Sequence, residues 1–459
     1  MLSDLLAPLA GLLPAGDHAV LRAQRSTARS VTLLGGDVVG NARSQSAGVS
    51  ARVCRGGVYG FAAVAGLDRA AAETALREAE DNAAFLDRHV PRHKPPLAAL
   101  APAPIPAPRP WQDAEQGRYL DYLRALDAYL APMPGLLSRK LAFRADSMEK
   151  RLLLSDGSQA HTAIPRCYVY VTLTGEGPDG PVERFRAFGG LGGMDDWFTD
   201  PALLYPSLDD LAEQLRRKRE GVYPLAGRKT CILGGELSGM LAHEAVGHTV
   251  EADLVLGGSV AARYLGRQAA SPLVSMTDFA HTAFGREAPL PVYCDDEGTP
   301  AVDAPLIRDG VLVGYLNSRE TAARFQMPPQ GSARAFGYAD EPLIRMRNTA
   351  IHPGKNSLAD MIASVEDGYY FLDTDNGQAD TNGEFMFGVT MGYEIKKGKL
   401  GRALLDATIS GVAFEMLKTV DMVSGDVVWA SSGFCGKKQL MPVGVGGPAL
   451  RCKVQVGGR

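Results

Sequence analysis

The residues best suited to chemistry stand together at His243-Glu244-Ala245-Val246-Gly247-His248, with Glu251 and Asp253 close behind. Imidazole nitrogens are good ligands for a borderline-soft cation such as zinc. A carboxylate beside the first histidine could take a proton from water held by such an ion. The residue types therefore fit a hydrolytic metal centre, and their clustering carries weight because the chain has only 8 histidines.

The spacing of these histidines is unusual for a metal site on a helix. Histidines four residues apart lie about 40° from each other around a regular helix, whereas His243 and His248, five apart, lie about 140° apart. We therefore expect the helix to widen into a π-bulge between Glu244 and His248, or to end near Gly247, since glycine tolerates such distortion. A helix that carries His-Glu on a surface face would show the same pattern, so the hexapeptide alone leaves both interpretations open.

Length and composition exclude several classes of protein. A chain of 459 residues is long for one core, and we expect two or three domains. The net charge of −4 gives no electrostatic reason to expect nucleic acid as a partner. No apolar run reaches the length of a membrane span, the first residues lack the basic start of a signal peptide, and the 6 cysteines are scattered without a C-x-x-C pair. We therefore expect a cytoplasmic protein with mostly reduced thiols and no membrane partner.

The elements that hold the histidines are predicted to form an α+β fold with largely antiparallel sheets. Residues 1–222 are predicted to form an N-terminal α+β domain, with a β-meander over 18–66 and a helix to about Arg88 that Asp68 caps. A proline-rich loop is predicted over 91–110. Residues 223–459 are predicted to form a mainly β domain, because strand-like segments dominate from residue 290 onward.

Several local predictions accompany this division. Residues 189–193 read as a glycine-rich loop that matches no phosphate-binding pattern. Ser207 resembles the N-cap of a helix that runs to about Glu220. Asp309 and Gly310 are predicted to turn a hairpin, and residues 408–422 are predicted to be helical.

The order of these motifs resembles that of the TldD/PmbA family of metallopeptidases, over nearly the whole chain. Around the histidines the match covers residues 239–253, and near the C-terminus it includes Cys435-Gly436-Lys437. The other matching segments are residues 48–61, 165–166, 296–299, 306–316, 331–334, 345–348, 377–380 and 383–385. The turn after Lys437 is slightly shorter than the family pattern.

The resemblance implies a role for each matching residue. His243, His248 and Cys435 would bind one divalent metal ion, most consistently zinc, and Glu244 would be the general base. The resemblance also implies an N-terminal α+β domain, a mainly β C-terminal domain, and dimers that enclose a chamber. A chain with the H-E-x-x-x-H motif would be the metal-bearing, TldD-type half, which forms a homodimer or a heterodimer with a TldE/PmbA-like subunit. Peptides would be the substrates.

Three alternatives stay open at this point. Glu251 is the rival to Cys435 as third ligand, and both Glu251 and Asp253 are candidates for accepting the spare ring N–H of a ligating histidine. The chain could instead be a metal-binding partner or scaffold with little activity of its own. An older family label also implies a modulator of DNA gyrase, although the acidic balance argues against direct contact with DNA.

Overall fold

The computed structural model describes residues 6–14, 18–90, 96–97, 100, 105–111, 113–374 and 376–457. Most of the predicted proline-rich loop over 91–110 lies outside the described residues, and its described part has neither helix nor strand. Between the described ends of the chain the fold is α+β, as predicted.

The first half is organised around one antiparallel sheet of six long strands. The strands are β1 (His18–Leu34), β2 (Asp37–Arg55), β3 (Val58–Ala65), β4 (Ser138–Leu154), β5 (Gln159–Gly177) and β6 (Gly180–Leu191). In spatial order they run β3-β2-β1-β4-β5-β6. Two groups of three consecutive strands, β1 to β3 and β4 to β6, therefore join where β1 pairs with β4.

The two faces of this sheet have different partners because side chains alternate along each strand. Leu21 and Leu33 of β1 belong to apolar clusters that also contain helix residues. On the opposite face, Arg22 donates to the backbone carbonyl of Asp340 at 2.7 Å, and Gln24 donates to that of Phe336 at 2.6 Å. One face is therefore covered by helices, and the other meets the second half of the chain.

The helices are mostly short, and the longest three cover the first sheet. Asp68 caps the first of them, as predicted, by accepting a hydrogen bond from the Ala71 amide at 2.8 Å. The α-helices are α1 (Arg69–His89), α2 (Gln116–Leu130), α3 (Met194–Trp197), α4 (Tyr205–Arg219), α5 (Gly235–Met240), α6 (Ala252–Leu256), α7 (Arg319–Phe325), α8 (Leu358–Ala363) and α9 (Ala413–Leu417). The 3-10 helices are Ala7–Leu12, Pro201–Leu204, His248–Val250 and Val260–Arg263, and a π-helix spans Leu241–Gly247.

The second half is mainly β. Its strands are β7 (Gly227–Leu233), β8 (Met276–Phe279), β9 (Thr282–Ala283), β10 (Arg286–Glu287), β11 (Ala304–Arg308), β12 (Val311–Leu312), β13 (Ala333–Arg334), β14 (Leu343–Ile344), β15 (Asn348–Ile351), β16 (Asp367–Asp373), β17 (Gly377–Ala379), β18 (Glu384–Val389), β19 (Met391–Lys396), β20 (Lys399–Ala403), β21 (Ala407–Val412), β22 (Met422–Val423), β23 (Val428–Ala430), β24 (Phe434–Lys437), β25 (Gln439–Pro442), β26 (Gly444–Gly447) and β27 (Leu450–Gly457). The predicted turn at Asp309 and Gly310 joins β11 to β12.

Two sheets dominate the second half. One has nine strands, eight of them in the order β17-β18-β21-β27-β7-β16-β19-β20, with β22 beside β27. The other has six, in the order β12-β11-β8-β15-β26-β23. The pairings are antiparallel except for β7 with β16 and β15 with β26. The π-helix packs in the large apolar core shared by these sheets, where Leu241, Ala245 and Val246 are fully buried. The predicted domain boundary after residue 222 stays a prediction.

Three local predictions were wrong. Residues 408–422 are not one helix, because Ala407–Val412 forms strand β21 between β18 and β27 before the short helix α9 begins. The expected loop at 189–193 continues strand β6 as far as Leu191, and a Cβ at Gly189 would lie 2.1 Å from the Cys167 carbonyl oxygen. Ser207 lies inside helix α4, which begins at Tyr205.

In the described part of the chain, no helix combines the length and the apolarity that crossing a membrane requires.

Candidate metal centre

The helix that carries both histidines widens where the sequence predicted it would. Helix α5 runs directly into the π-helix Leu241–Gly247, and the His248 amide donates to the His243 carbonyl oxygen, five residues back. The wider turn brings the two imidazole rings to the same side, with ring centroids 5.2 Å apart. The prediction of a π-bulge between Glu244 and His248 is therefore confirmed.

Two glycines allow this helix to lie close to its neighbours. A Cβ at Gly247 would lie 2.0 Å from Sδ of the buried Met346, and one at Gly239 would lie 2.8 Å from the Gly446 backbone nitrogen in β26. Such distances are far below the normal contact distance of about 3.5–4.0 Å. Because neither position has a side chain, the helix can pack this close to Met346 and β26, and this packing fixes the position of the two histidines.

The thiol of Cys435 comes to the histidines on a hairpin from the far end of the sequence. Strands β24 and β25 pair through a tight turn in which Lys438 takes a left-handed conformation with φ of 57°. Cys435 Sγ lies 3.2 Å from His248 Nε2. One ligand atom from each of His243, His248 and Cys435 lies within 4.8 Å of the other two. The three residues that the resemblance names are thus brought together.

The environment of His243 fits a metal ligand. Its side chain is 2% exposed, yet neither Nδ1 nor Nε2 has a hydrogen-bond partner in the structure. Buried polar groups almost always have a partner, so an imidazole with two unsatisfied nitrogens calls for an explanation. Burial lowers the pKa of His243 well below its ordinary value, and His248 lowers it further. A neutral ring with a free lone pair is the form that coordinates a cation.

The orientation of His248 is fixed from behind its ring. Glu251, which is fully buried, accepts a hydrogen bond from Nδ1 at 2.9 Å, so Nε2 is left facing Cys435. Lys437 Nζ lies 3.2 Å from the same carboxylate. Burial alone would lower the pKa of His248, but its hydrogen bonds to Cys435 and Glu251 raise that pKa to about 10. Cys435 and Glu251 favour a positive charge on this ring, so they would also favour a cation bound at Nε2.

The structure separates the roles of the two nearby carboxylates from that of Cys435. Glu251 lies on the Nδ1 side of His248, whereas the Cys435 thiol lies on the Nε2 side, and this arrangement favours Cys435 over Glu251 as the third ligand. Asp253 forms an ion pair with Lys437 Nζ at 2.7 Å. Carboxylates that accept the spare N–H of a histidine fix its tautomer and orientation, and Glu251 has that geometry.

Glu244 lies at the mouth of the centre. Its carboxylate oxygens are 3.9 Å from His243 Nε2 and 3.7 Å from His248 Nε2, and the side chain is 21% exposed. Burial raises the pKa of Glu244 above its ordinary value, while His248 opposes this shift. A carboxylate with this pKa direction and partial access to solvent has the properties of a general base.

A cleft of about 450 Å³ opens beside Glu244 and His248. Its walls come from four segments: the π-helix with the 3-10 turn after it, helix α6, strand β24, and edge strand β17 with the turn after it. Asp380 and Thr381 of that turn line the cleft. The sequence indicates a polar turn at Asp380, Asn382 and Glu384 and makes it a candidate for substrate contact, but its distance from the histidines depends on the fold.

Two other histidines of the second half, His281 and His352, lie away from this centre. His281 stacks on Tyr293, with ring centroids 4.7 Å apart, and His352 Nε2 lies 2.8 Å from Thr277 Oγ1. Among the described residues, neither belongs to a group that could hold a metal ion. The six cysteines are all buried and free of disulfides.

The buried His243, the half-buried His248 and the buried Cys435 thiol, next to a carboxylate in an open cleft, define a candidate mononuclear metal centre of the hydrolytic class. Similarity to known protein families supports this class. Residues 226–458 match the model of the PmbA/TldA metallopeptidase C-terminal domain, and residues 19–83 match that of domain 1. The chain therefore belongs to the PmbA/TldD family of metallopeptidases.

Individual relatives are similar over long stretches. A metalloprotease of Methanothermobacter thermautotrophicus is 30% identical over 464 residues, which cover 96% of each chain. A zinc metalloprotease TldD homolog of Saccharolobus solfataricus is 32% identical over 314 residues, or 68% of each chain. The crystal structure of TldE from Thermococcus kodakarensis shares the fold, with a TM-score of 0.77 and 16% identity over 100% of both chains.

Proposed function

We propose that this chain is a metal-dependent peptidase that hydrolyses unfolded peptides or small proteins, with His243, His248 and Cys435 as metal ligands and Glu244 as general base. The observation that carries the proposal is the convergence of three ligand atoms within 4.8 Å, where both ring nitrogens of the buried His243 lack any other partner. The cleft beside Glu244 gives a peptide access to this point.

Zinc is the metal that best fits the donor set. Two imidazoles and one thiolate are typical zinc ligands, and three protein ligands leave a fourth position open, as in catalytic zinc sites. A relative from Saccharolobus solfataricus is described as a zinc metalloprotease. When bound, the ion would polarise the attacking water and the scissile carbonyl.

Glu244 would then move the proton. Its carboxylate is within 3.9 Å of both candidate imidazoles, so a water beside those rings lies within its reach. It would accept the proton of the attacking water and deliver it to the leaving amine. Glu251 would keep His248 in the orientation that leaves Nε2 free, because its carboxylate holds Nδ1.

The substrate would be held as an added strand on β17. This strand pairs with β18 on one side, and no described strand pairs with its other side. Its residues line the same cleft as Glu244 and His248. A peptide that extends a sheet is held mainly by its backbone, so we infer low sequence selectivity.

We also infer that the chain acts as a dimer that encloses a chamber, either with a second copy or with a TldE/PmbA-like subunit that lacks the histidine motif. The shared fold with TldE of Thermococcus kodakarensis supports a partner of this shape. A cytoplasmic location, without nucleic-acid or membrane partners, remains part of the proposal.

The decisive experiment compares wild type with Glu244→Ala on an unfolded, fluorescence-quenched peptide, each loaded with zinc. Both proteins are tested alone and with any TldE-like partner. We expect cleavage by wild type and a loss of at least about 100-fold in the variant, the lower range for a general base. If zinc binds to both and neither cleaves faster than the other, the chain is a metal-binding scaffold and the peptidase proposal fails.

A further inference from the structure

Arg345 is a buried arginine directly after strand β14, and its side chain is 0% exposed. Burying a guanidinium is unfavourable unless acceptors replace the water that it loses. In the described part of the chain, no carboxylate lies within ion-pair distance of Arg345. Backbone carbonyl oxygens accept from Nη1 and Nη2, whereas the buried Nε has no hydrogen-bond partner.

All three of these carbonyls belong to the hairpin that carries the candidate thiol ligand. Nη2 of Arg345 donates to the carbonyl oxygen of Cys435 at 2.7 Å. Nη1 donates to the carbonyl oxygens of Lys437 at 3.2 Å and Gln439 at 2.8 Å. One planar side chain thus holds both strands of the hairpin and spans its turn, a geometry that the fixed fork of a guanidinium allows.

The hairpin needs such support because its own structure is weak. Strands β24 and β25 have four residues each and pair only with each other in the described structure, and an isolated two-stranded hairpin is marginally stable in water. Leu440 is 52% exposed, so apolar packing holds this strand only in part. The position of Cys435 Sγ relative to His248 therefore depends in part on polar contacts to the hairpin. Arg345 makes three of these contacts, and others link the hairpin to Arg334, Phe336 and Glu341.

We propose that Arg345 is a positioning residue that clamps the β24–β25 hairpin through three carbonyls and so holds the Cys435 thiol in place for metal binding. This inference rests on the proposed function, since it assumes that Cys435 is a ligand. Arg345 does not line the substrate cleft described above. Its charge also acts directly on the centre, where it lowers the pKa of both His243 and Glu244, and Arg345→Lys keeps this charge while it loses the three contacts to the hairpin.

Cobalt(II) titration tests this proposal, because a thiolate ligand gives cobalt a sulfur-to-metal charge-transfer band that a merely stable fold does not produce. The variants are Arg345→Lys, which keeps the charge and loses the fork, and Arg345→Met, which loses both. Arg347→Lys is the matched control: it is equally buried, two residues away, and bonded to Asp278 and to Gln330 rather than to the hairpin. Thermal unfolding of the metal-free proteins identifies which variants are folded.

We expect Arg345→Lys to weaken cobalt binding about 10-fold and to reduce the charge-transfer band, within the range for residues that orient metal ligands. Arg345→Met, if folded, should lose more, and Arg347→Lys should keep the wild-type band even where its unfolding temperature falls. Wild-type affinity and band in Arg345→Lys would overturn the inference, as would equal losses in Arg345→Lys and Arg347→Lys. A wild type that binds cobalt without a thiolate band would overturn the ligand set itself, a result distinct from failure of the clamp.

Discussion

Gly247 offers a sharp test of why the helix can widen between the two histidines. We expect Gly247→Ala to destabilise the metal-free protein, because an ideal Cβ there lies 2.0 Å from Met346 Sδ and 3.1 Å from its Cε. Normal contact requires about 3.5–4.0 Å, so Met346 would have to move by about 1.5 Å. Met346 is 0% exposed and has no solvent into which to move. Overpacking of this kind costs about 1–3 kcal/mol.

A double-mutant cycle separates this clash from other effects of the substitution. Met346→Ala alone should cost about 2–5 kcal/mol, as for other buried large-to-small changes. Since the truncated side chain no longer meets the new methyl group, the double variant should be at least about 1 kcal/mol more stable than the sum of the single costs implies. The assay is urea unfolding of each metal-free variant, followed by intrinsic fluorescence.

The control for this cycle is Gly433→Ala, where a Cβ would meet no atom within 4 Å. It should change the free energy of unfolding by no more than about 0.5 kcal/mol. Strictly additive costs at Gly247 and Met346, or a Gly247→Ala variant as stable as Gly433→Ala, would refute the close-packing explanation.

Three further changes test other parts of the structure. Glu251→Gln should weaken zinc binding about 10- to 100-fold in a chelator competition, because it removes the charged partner of His248 Nδ1. Glu236→Gln should stabilise the fold above pH 7 by about 3 kcal/mol, since burial and the nearby Asp373 raise the Glu236 pKa from 4.5 to about 7 and ionisation is therefore costly in the folded state. That gain should vanish below pH 4.5, where the carboxyl is protonated in both states, as urea unfolding at several pH values would show. Asp68→Ala should cost about 1 kcal/mol in the same assay through loss of the helix cap.

Each of these expectations has a contradicting result. Unchanged zinc affinity in Glu251→Gln would mean that Glu251 does not orient His248. A gain in Glu236→Gln that is equal at pH 4 and pH 8 would exclude ionisation as its cause. The control for Asp68→Ala is Asp121→Ala on the exposed face of helix α2, which should change stability by no more than about 0.5 kcal/mol.

The local geometry around His243 and His248 was predictable from the sequence because it depends on helix periodicity. Two ligands that are five positions apart on one helix require a wider turn, and Gly247 indicated where the turn could change. The convergence with Cys435 was different. The thiol lies 187 residues from His248, and only the family resemblance pointed to it. No spacing rule connects residues that separate strands bring together.

The errors have a similar physical origin. Residues 407–412 form a strand because β18 and β27 lie on either side, so pairing with distant strands decided the structure of a short apolar segment. The role of Arg345 was also beyond sequence reasoning. Its three acceptors are backbone carbonyls 90 to 94 residues away, and backbone groups leave no signal in the amino-acid types.

The most direct test of the centre is X-ray absorption at the zinc edge of the zinc-loaded wild-type protein, compared with Cys435→Ala. We expect wild type to show one sulfur neighbour at about 2.3 Å and nitrogen or oxygen neighbours, including two imidazoles, at about 2.0–2.1 Å. The sulfur neighbour should be absent from Cys435→Ala. A wild-type spectrum with nitrogen and oxygen neighbours alone, or one that Cys435→Ala reproduces with the same zinc content, would contradict a centre built from His243, His248 and Cys435.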